Sequence, residues 1–419
     1  MKFIINGGRT LQGEIKVSGS KNAATPVIAA TLLTKVPCIL SNVPRINDVL
    51  TMLEILKKMG SRQRWLDEHT IEIINDNIDP AQLDQNLVCK IRSSILLVGP
   101  LLARFKKVVF ATPGGCHIGS RPIDTHLESL KTLGASVEFD DKSGLYTIIL
   151  EKNSVQEVVL REASVTATEN LLMLGAKYPL LIKVAAMEPH VGCLGAFLSN
   201  LGAEFSGLGT PWITTKPNND QTKAIKFSII NDEIEMGTFA ILAAATKSKL
   251  VIKGIIKNNL DLVLEKLREM GVVFEIDSDR LTVNGSASNL KAAKIETKIY
   301  PGIPTDLQAP FGVLATQAEG ASLIFDTLYD GRLKYIDQLK KMGAEATILD
   351  PHRALIKGPT VLHGTDIESV DLRAGATLVI AAMIAKGTST VGGAEQIDRG
   401  YELIDERLRA LGADIKRIN

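Results

Sequence analysis

One short phrase returns six times along the chain, and it constrains the fold more than any other feature. It reads L-K-K-M-G-S at 56–61, L-K-T-L-G-A at 130–135, L-S-N-L-G-A at 198–203, L-R-E-M-G-V at 267–272, L-K-K-M-G-A at 339–344 and L-R-A-L-G-A at 408–413. The glycines Gly60, Gly134, Gly202, Gly271, Gly343 and Gly412 are therefore 74, 68, 69, 72 and 69 residues apart. In each copy apolar residues recur at helical spacing and a glycine follows the last turn, where a left-handed C-cap is wanted. An apolar alternation, such as A-S-V-E-F at 135–139 or A-D-I-K-R at 413–417, then reads as a strand.

Between those copies lies a second phrase, a helix rich in Ala and Leu followed by a Val/Ile strand. It begins near Asn22, Arg92, Ala167, Met236, Asp306 and Arg373. Each unit thus predicts two helices and several strands in an α/β fold. Helices that are apolar nearly all round belong inside, with sheet outside them. A chain of 419 residues exceeds one core and suggests two domains or three; six units, if grouped three and three, would give two of similar size.

Charge narrows the function classes. Lys and Arg number 48 against 47 Asp and Glu, so nothing electrostatic points to nucleic acid or to an acidic membrane. No apolar run reaches the roughly 18–20 residues of a membrane span, and M-K-F-I-I-N-G-G reads as a strand and turn rather than a signal peptide. The expectation is a soluble, cytoplasmic protein. Four cysteines, Cys38, Cys89, Cys116 and Cys193, lie far apart without a CxxC or Cys/His cluster, which argues against disulfides and zinc. Cys38, Cys89 and Cys193 read as core residues. Cys116 alone sits among glycines and beside Arg121, where a thiol stays accessible.

A charged or polar group stands at or just before the start of the Ala-rich helix in five of the six units: Lys21-Asn22, Arg92, 164–168, Asp306 and Arg373. Helix N-termini present unpaired N–H groups and partial positive charge. Brought together with Arg121, Arg332 and Arg399, they would make a site for phosphate and carboxylate. Read one at a time, each arginine is more simply an ordinary solvated side chain.

Several longer stretches carry a resemblance. They are K-N-A-A at 21–24, P-G-G-C-H-I-G-S-R-P-I-D at 113–124 and S-V-T-A-T-E-N at 164–170, with P-T-D-L-Q-A at 304–309, D-L-R-A at 371–374 and D-R-G-Y-E at 398–402. As a set, in order from Gly7 onward, they resemble the UDP-N-acetylglucosamine enolpyruvyl transferases. The resemblance implies an inside-out α/β barrel, with helices buried and sheets outside. It implies a first domain over 21–229, a second joining 1–20 to 230–419, and an active site in the cleft between them. It further implies transfer of the enolpyruvyl group of phosphoenolpyruvate to the 3-hydroxyl of UDP-N-acetylglucosamine, with release of phosphate and without a metal or cofactor.

By motif position, Lys21, Arg121 and Arg399 would surround the phosphate, with Arg332 and Arg373 near the carboxylate and Asn22 a further phosphoenolpyruvate contact. Cys116 would be the general acid that protonates C3, and the residue an epoxide such as fosfomycin would alkylate. Asp306 would take the acceptor's proton; read without the resemblance, it is a plain N-cap aspartate. Arg92, Arg121, Pro122, Ile123, Asp124, Thr125, Ser164, Val165 and Leu328 match acceptor contacts.

The chain departs from the family pattern mainly around the acceptor. Thr166 replaces a glycine and Glu162 a lysine. His190 replaces an acid, Glu233 ends what is usually P-D-R, and Gln396 stands for a histidine. These departures leave a second reading open, a paralogue that uses another nucleotide or nucleotide-sugar acceptor. The enolpyruvyl-shikimate-phosphate synthases share the architecture but lack the Cys loop. A non-catalytic sensor of the nucleotide sugar would be expected to lose Cys116 or Lys21, and both are present. Oligomeric state is not legible from the sequence.

Overall fold

A computed structural model describes residues 1–114, 122–152, 156–217, 223–369 and 371–418. Twelve longer helices alternate between two kinds. The first kind comprises α1 (Lys21–Ala30), α3 (Val98–Phe105), α5 (Val165–Gly175), α7 (Glu233–Ala245), α9 (Gln308–Ala315) and α11 (Leu372–Ile384). The second comprises α2 (Asn47–Lys58), α4 (Asp124–Thr132), α6 (Pro189–Asn200), α8 (Asp261–Glu269), α10 (Tyr335–Lys341) and α12 (Ile404–Ala410).

Each even-numbered helix ends at one of the six repeated glycines, and all six adopt a positive φ, between 82° and 105°. The residue after each glycine turns its N–H back onto the carbonyl of the leucine that opens the phrase. Ser61 reaches Leu56 at 3.0 Å and Ala413 reaches Leu408 at 3.1 Å, with Ala135, Ala203, Val272 and Ala344 doing the same. This is a six-to-one closure, which only a left-handed residue permits and which glycine reaches without a Cβ clash.

The odd-numbered helices are the buried ones. Every residue of α7 and α9 is buried, as is α11 up to Met383, and these three pack on one another. Helix α3 packs on α5, and α1 on α2 and α6. A polar start is what anchors such apolar rods. Asp232 caps α7 by accepting from the N–H groups of Ile234 and Glu235, and Asp371 caps α11 through Arg373 and Ala374.

Strands form six separate sheets, five of four strands and one of three. In every one, the strand after a buried helix pairs antiparallel with one arm of a hairpin, and the other arm is the strand that follows a repeated glycine. Cys38–Ser41 with Ile71–Ile74 and Arg62–Trp65 is one instance. The four-stranded sheets add one parallel neighbour, as Ile225–Ser228 does for Cys38–Ser41. The hairpin after Gly412 takes its second arm from the far end of the chain: Asp414–Ile418 pairs with Lys2–Asn6.

The chain divides into two compact units, one of Met1–Ser18 with 231–418 and one of the described residues within 19–230. Each holds three of the sheets and one contiguous hydrophobic core. Among the described residues no helix is long and apolar enough to cross a membrane. Cys38 and Cys193 are buried, but Cys89, expected in a core, is exposed. It closes the single turn Gln85–Val88, which spends its inward positions on Leu87 and Val88.

Candidate active site

In the unit of residues 231–418, the sequence P-T-D ahead of α9 forms a tight turn, Thr305–Leu307. Asp306 does not cap the helix that follows it. Its Oδ1 accepts from Arg332 Nη1 at 2.8 Å and its Oδ2 from Arg373 Nε at 3.2 Å, so one carboxylate is shared between two guanidiniums. Arg332 Nη1 also reaches the Thr305 carbonyl at 3.2 Å. Arg373 is 3% exposed, lies over the Tyr401 ring at 5.2 Å, and faces the capping carboxylate of Asp232 at 3.8 Å. The Tyr401 hydroxyl is a further partner of this guanidinium, but neither Nη1 nor Nη2, nor Nε of Arg332, has a close, well-aligned acceptor among the described residues.

Burial opposes the charge of both arginines, and nearby acidic groups outweigh it. Asp306 and Asp371 raise the Arg332 pKa, and Tyr401, Asp306 and Asp232 raise that of Arg373. Asp232 responds the other way: burial pushes its carboxyl up to about 6, although Arg373 pulls it down. A buried donor left without an acceptor costs about 1–3 kcal/mol, so these incompletely satisfied guanidiniums suit an anion.

Arg399 sits on the turn after the single-turn helix Ala394–Ile397 and donates to Gln396 Oε1 at 3.2 Å. Gln396, one of the departures, therefore supplies a neutral acceptor to this cation. That turn lies close against the start of α11. A Cβ on Gly400 would come within 2.4 Å of Leu372 Cδ1, and one on Gly375 within 2.6 Å of Ile397 Cγ1. Leu328 is half exposed, its N–H bound to Asp326 Oδ1 at 3.0 Å.

The other unit holds a second set. Lys21 opens α1 and pairs with the buried Asp48 at 3.0 Å, with Asn22 beside it in the same first turn. Arg92 Nη2 donates to the Pro122 carbonyl at 3.0 Å, directly ahead of Ile123, Asp124 and Thr125 at the start of α4. Thr125 Oγ1 donates to Glu162 Oε1 at 3.1 Å, and His126 Nε2 shares a hydrogen bond with Thr166 Oγ1 at 2.8 Å. Glu162, just ahead of α5, and Thr166, in its first turn, thus form two rungs to the first turn of α4. Ser164 and Val165 lie between them, and the Ser164 side chain leaves the N-terminus of α5 without a capping bond. Burial first, then the Arg92 charge, pushes His126 down to about 3, so its ring is neutral.

His190 begins α6 and is buried near Glu169 and Glu188. Glu233 opens α7 and is also buried. The structure joins Asp306, Arg332 and Arg373 into one cluster, and Arg92, Pro122, Thr125 and the 162–166 segment into another. Cys116 and Arg121 lie outside the described residues. The sequence reading missed Tyr401 under Arg373 and the capping Asp232, although D-R-G-Y and the departure at Glu233, the residue after Asp232, were both in view.

The sequence pattern of the EPSP synthase family (3-phosphoshikimate 1-carboxyvinyltransferase) matches residues 5–408. The chain is 43% identical over 420 residues to UDP-N-acetylglucosamine 1-carboxyvinyltransferase 1 of Carboxydothermus hydrogenoformans, covering 100% of this chain and 98% of that one. It is 40% identical over 420 residues to the UDP-N-acetylglucosamine 1-carboxyvinyltransferase of Coxiella burnetii, covering 100% and 96%. Among solved structures, the enolpyruvyl transferase NikO from Streptomyces tendae superposes with a TM-score of 0.90 at 23% identity, over 99% of this chain and 98% of that one. An EPSP synthase from Acinetobacter baumannii gives 0.73 at 19% identity, over 99% of both chains. Those two likenesses speak for the fold.

Proposed function

The chain belongs to the UDP-N-acetylglucosamine 1-carboxyvinyltransferases, within the EPSP synthase family, and on that premise we propose which of its residues carry the reaction. It transfers the enolpyruvyl group of phosphoenolpyruvate to the 3-hydroxyl of UDP-N-acetylglucosamine and releases phosphate, the first committed step of peptidoglycan precursor synthesis. The observation that carries the assignment of roles is Arg373: a buried guanidinium beside a carboxylate it already shares with Arg332, with no close acceptor at either Nη group and Asp232 no nearer than 3.8 Å.

Phosphoenolpyruvate brings two anionic groups on three carbons and needs several cations at close quarters. Its carboxylate goes to Arg332 and the Nη side of Arg373. Its phosphate goes to Lys21, Asn22, Arg121 and Arg399. The Cys116 thiol protonates C3 while the acceptor oxygen bonds to C2, and Asp306 takes the hydroxyl proton. The C2–O bond to phosphate then breaks as C3 gives a proton back, which restores the double bond. The cations stabilise the departing phosphate, as preorganised charge does elsewhere.

On the acceptor side, Arg92, residues 121–125, Ser164, Val165 and Leu328 hold the nucleotide sugar. Glu162 and Thr166, the departures that raise the prospect of another acceptor, are engaged by Thr125 and His126. Neither argues for a different nucleotide. We also read the chain as domains 21–229 and 1–20 with 230–419, each an inside-out α/β barrel of three repeats, and as a cytoplasmic enzyme. The test is phosphate release from phosphoenolpyruvate with a panel of acceptors. Release that requires UDP-N-acetylglucosamine is expected; release with another acceptor, and none with this one, overturns the assignment.

A further inference from the structure

Arg417 lies on Asp414–Ile418, the last strand, far along the chain from every motif that carries the resemblance except D-R-G-Y. Its fork grips Asp398 twice, Nη1 to Oδ2 at 2.6 Å and Nη2 to Oδ1 at 2.8 Å. The same guanidinium reaches the buried Asp405 through Nε at 3.2 Å and Nη2 at 2.7 Å. Arg409 takes the other Asp405 oxygen at 3.0 Å, and the Phe3 ring, cross-strand from Arg417, lies 4.8 Å from its guanidinium carbon. Such a bidentate, flanked pair holds a carboxylate in direction as well as in place.

Asp398 is the residue before Arg399. Its own N–H is tied to the Ala394 carbonyl at 3.1 Å, so the clamp fixes the turn on which Arg399 stands. Three residues on from Asp398, Tyr401 lies under Arg373. The turn therefore has two ends with a task, and Arg417 holds one of them from outside the motif.

We propose that Arg417 is a positioning residue: through Asp398 it aims Arg399 at the phosphate of phosphoenolpyruvate. The proposal rests on the reading of Arg399 as a phosphate ligand. The bonds to Asp398 need a planar fork, which lysine cannot supply.

The experiment measures steady-state kinetics and inhibition by inorganic phosphate for Arg417→Met, Arg417→Lys, Asp398→Asn and Arg399→Ala, with thermal melting alongside. Arg417→Met is expected to raise KM for phosphoenolpyruvate about tenfold or more and to weaken phosphate inhibition in parallel, because small misplacements of a binding group are costly. KM for UDP-N-acetylglucosamine should change little. Arg417→Lys should recover part of the loss, and Asp398→Asn should copy the pattern. Added to Arg399→Ala, Arg417→Met should have no further effect on the phosphoenolpyruvate KM.

If Arg417→Met does not fold, Asp398→Asn decides the matter. Should Arg399→Ala raise that KM while Asp398→Asn and the Arg417 variants leave it unchanged, the positioning role is overturned. Equal losses for both substrates in step with a lower melting temperature overturn it as well, since that is what a purely structural clamp would give. If Arg399→Ala itself leaves both KM and phosphate inhibition unchanged, the reading of Arg399 fails instead.

Discussion

Glu169 offers a sharp test of how the buried charges of this protein are held. It stands on the second turn of α5, 1% exposed, and its Oε1 has no hydrogen-bond partner among the described residues. Burial pushes its carboxyl from an ordinary 4.5 up to about 8, with His190 pulling it down and Glu188 pushing it further up. At neutral pH the folded protein keeps this proton, whereas the unfolded chain gives it up. A raised acid contributes stability that is fully present below the unfolded value and is lost as pH rises through the folded one. From 4.5 to about 8, at about 1.4 kcal/mol per pH unit, the loss is about 5 kcal/mol by pH 9. Glu169→Gln substitutes an amide that never ionises. Calorimetry from pH 5 to pH 9 should show similar Tm values for the two proteins at pH 5. At pH 9 the variant should melt about 10 °C or more above the wild type, taking about 2–4 °C per kcal/mol for a unit of this size. Asp232, raised to about 6, adds a loss of its own between pH 4 and 6, but it is common to both proteins and cancels in the comparison. Parallel curves would refute the reasoning. So would a wild type that is the more stable at pH 9, since Glu169 would then be ionised and paired with His190.

Cys116→Ala should lower turnover by about 10²–10⁴-fold with the fold intact, and Cys116→Asp should keep activity while resisting epoxide inactivation; full activity in the alanine variant removes Cys116 from the mechanism. Arg373→Lys keeps a charge but loses the fork, so KM for phosphoenolpyruvate should rise about 10- to 100-fold with the acceptor KM little changed; an unchanged donor KM tells against the carboxylate role. Thr166→Gly strips the hydroxyl from buried His126 and should cost about 1–3 kcal/mol, read as a lower Tm, while leaving acceptor binding no worse. An unaltered Tm would mean that the bond contributes nothing.

How much was legible from the sequence follows from the range of the interactions involved. The six glycine phrases stood out because a left-handed cap admits few residue types, so the backbone demand is written locally at Gly60 and its five counterparts. Buried helices such as α7 were legible for the same kind of reason: an apolar residue at nearly every position leaves no solvent face. Asp306 was marked by its motif as a site residue, but not its bonds to Arg332 and Arg373, which lie 26 and 67 residues away. The Thr125–Glu162 and His126–Thr166 rungs were read only as departures from a family pattern. A one-dimensional comparison registers that a residue has changed and is silent on the partner it bonds. Cys89 was misplaced because a short apolar neighbourhood, L-V-C, hides which side of a single helical turn faces water.

The pairing of Lys2–Asn6 with Thr388–Gly392 and Asp414–Ile418 has a consequence for synthesis. Lys2–Asn6 leaves the ribosome well before either neighbour and must wait for about 400 further residues to follow it. At about 5–20 residues per second, that is a wait of about 20–80 s. Gln12–Lys16 waits less, for Lys249–Lys253. Meanwhile residues 19–230 emerge with all the strands of their own three sheets in hand. Such a chain should assemble its middle first and join its beginning to its end last, with two exposed strand edges to shield from other nascent chains in the interval.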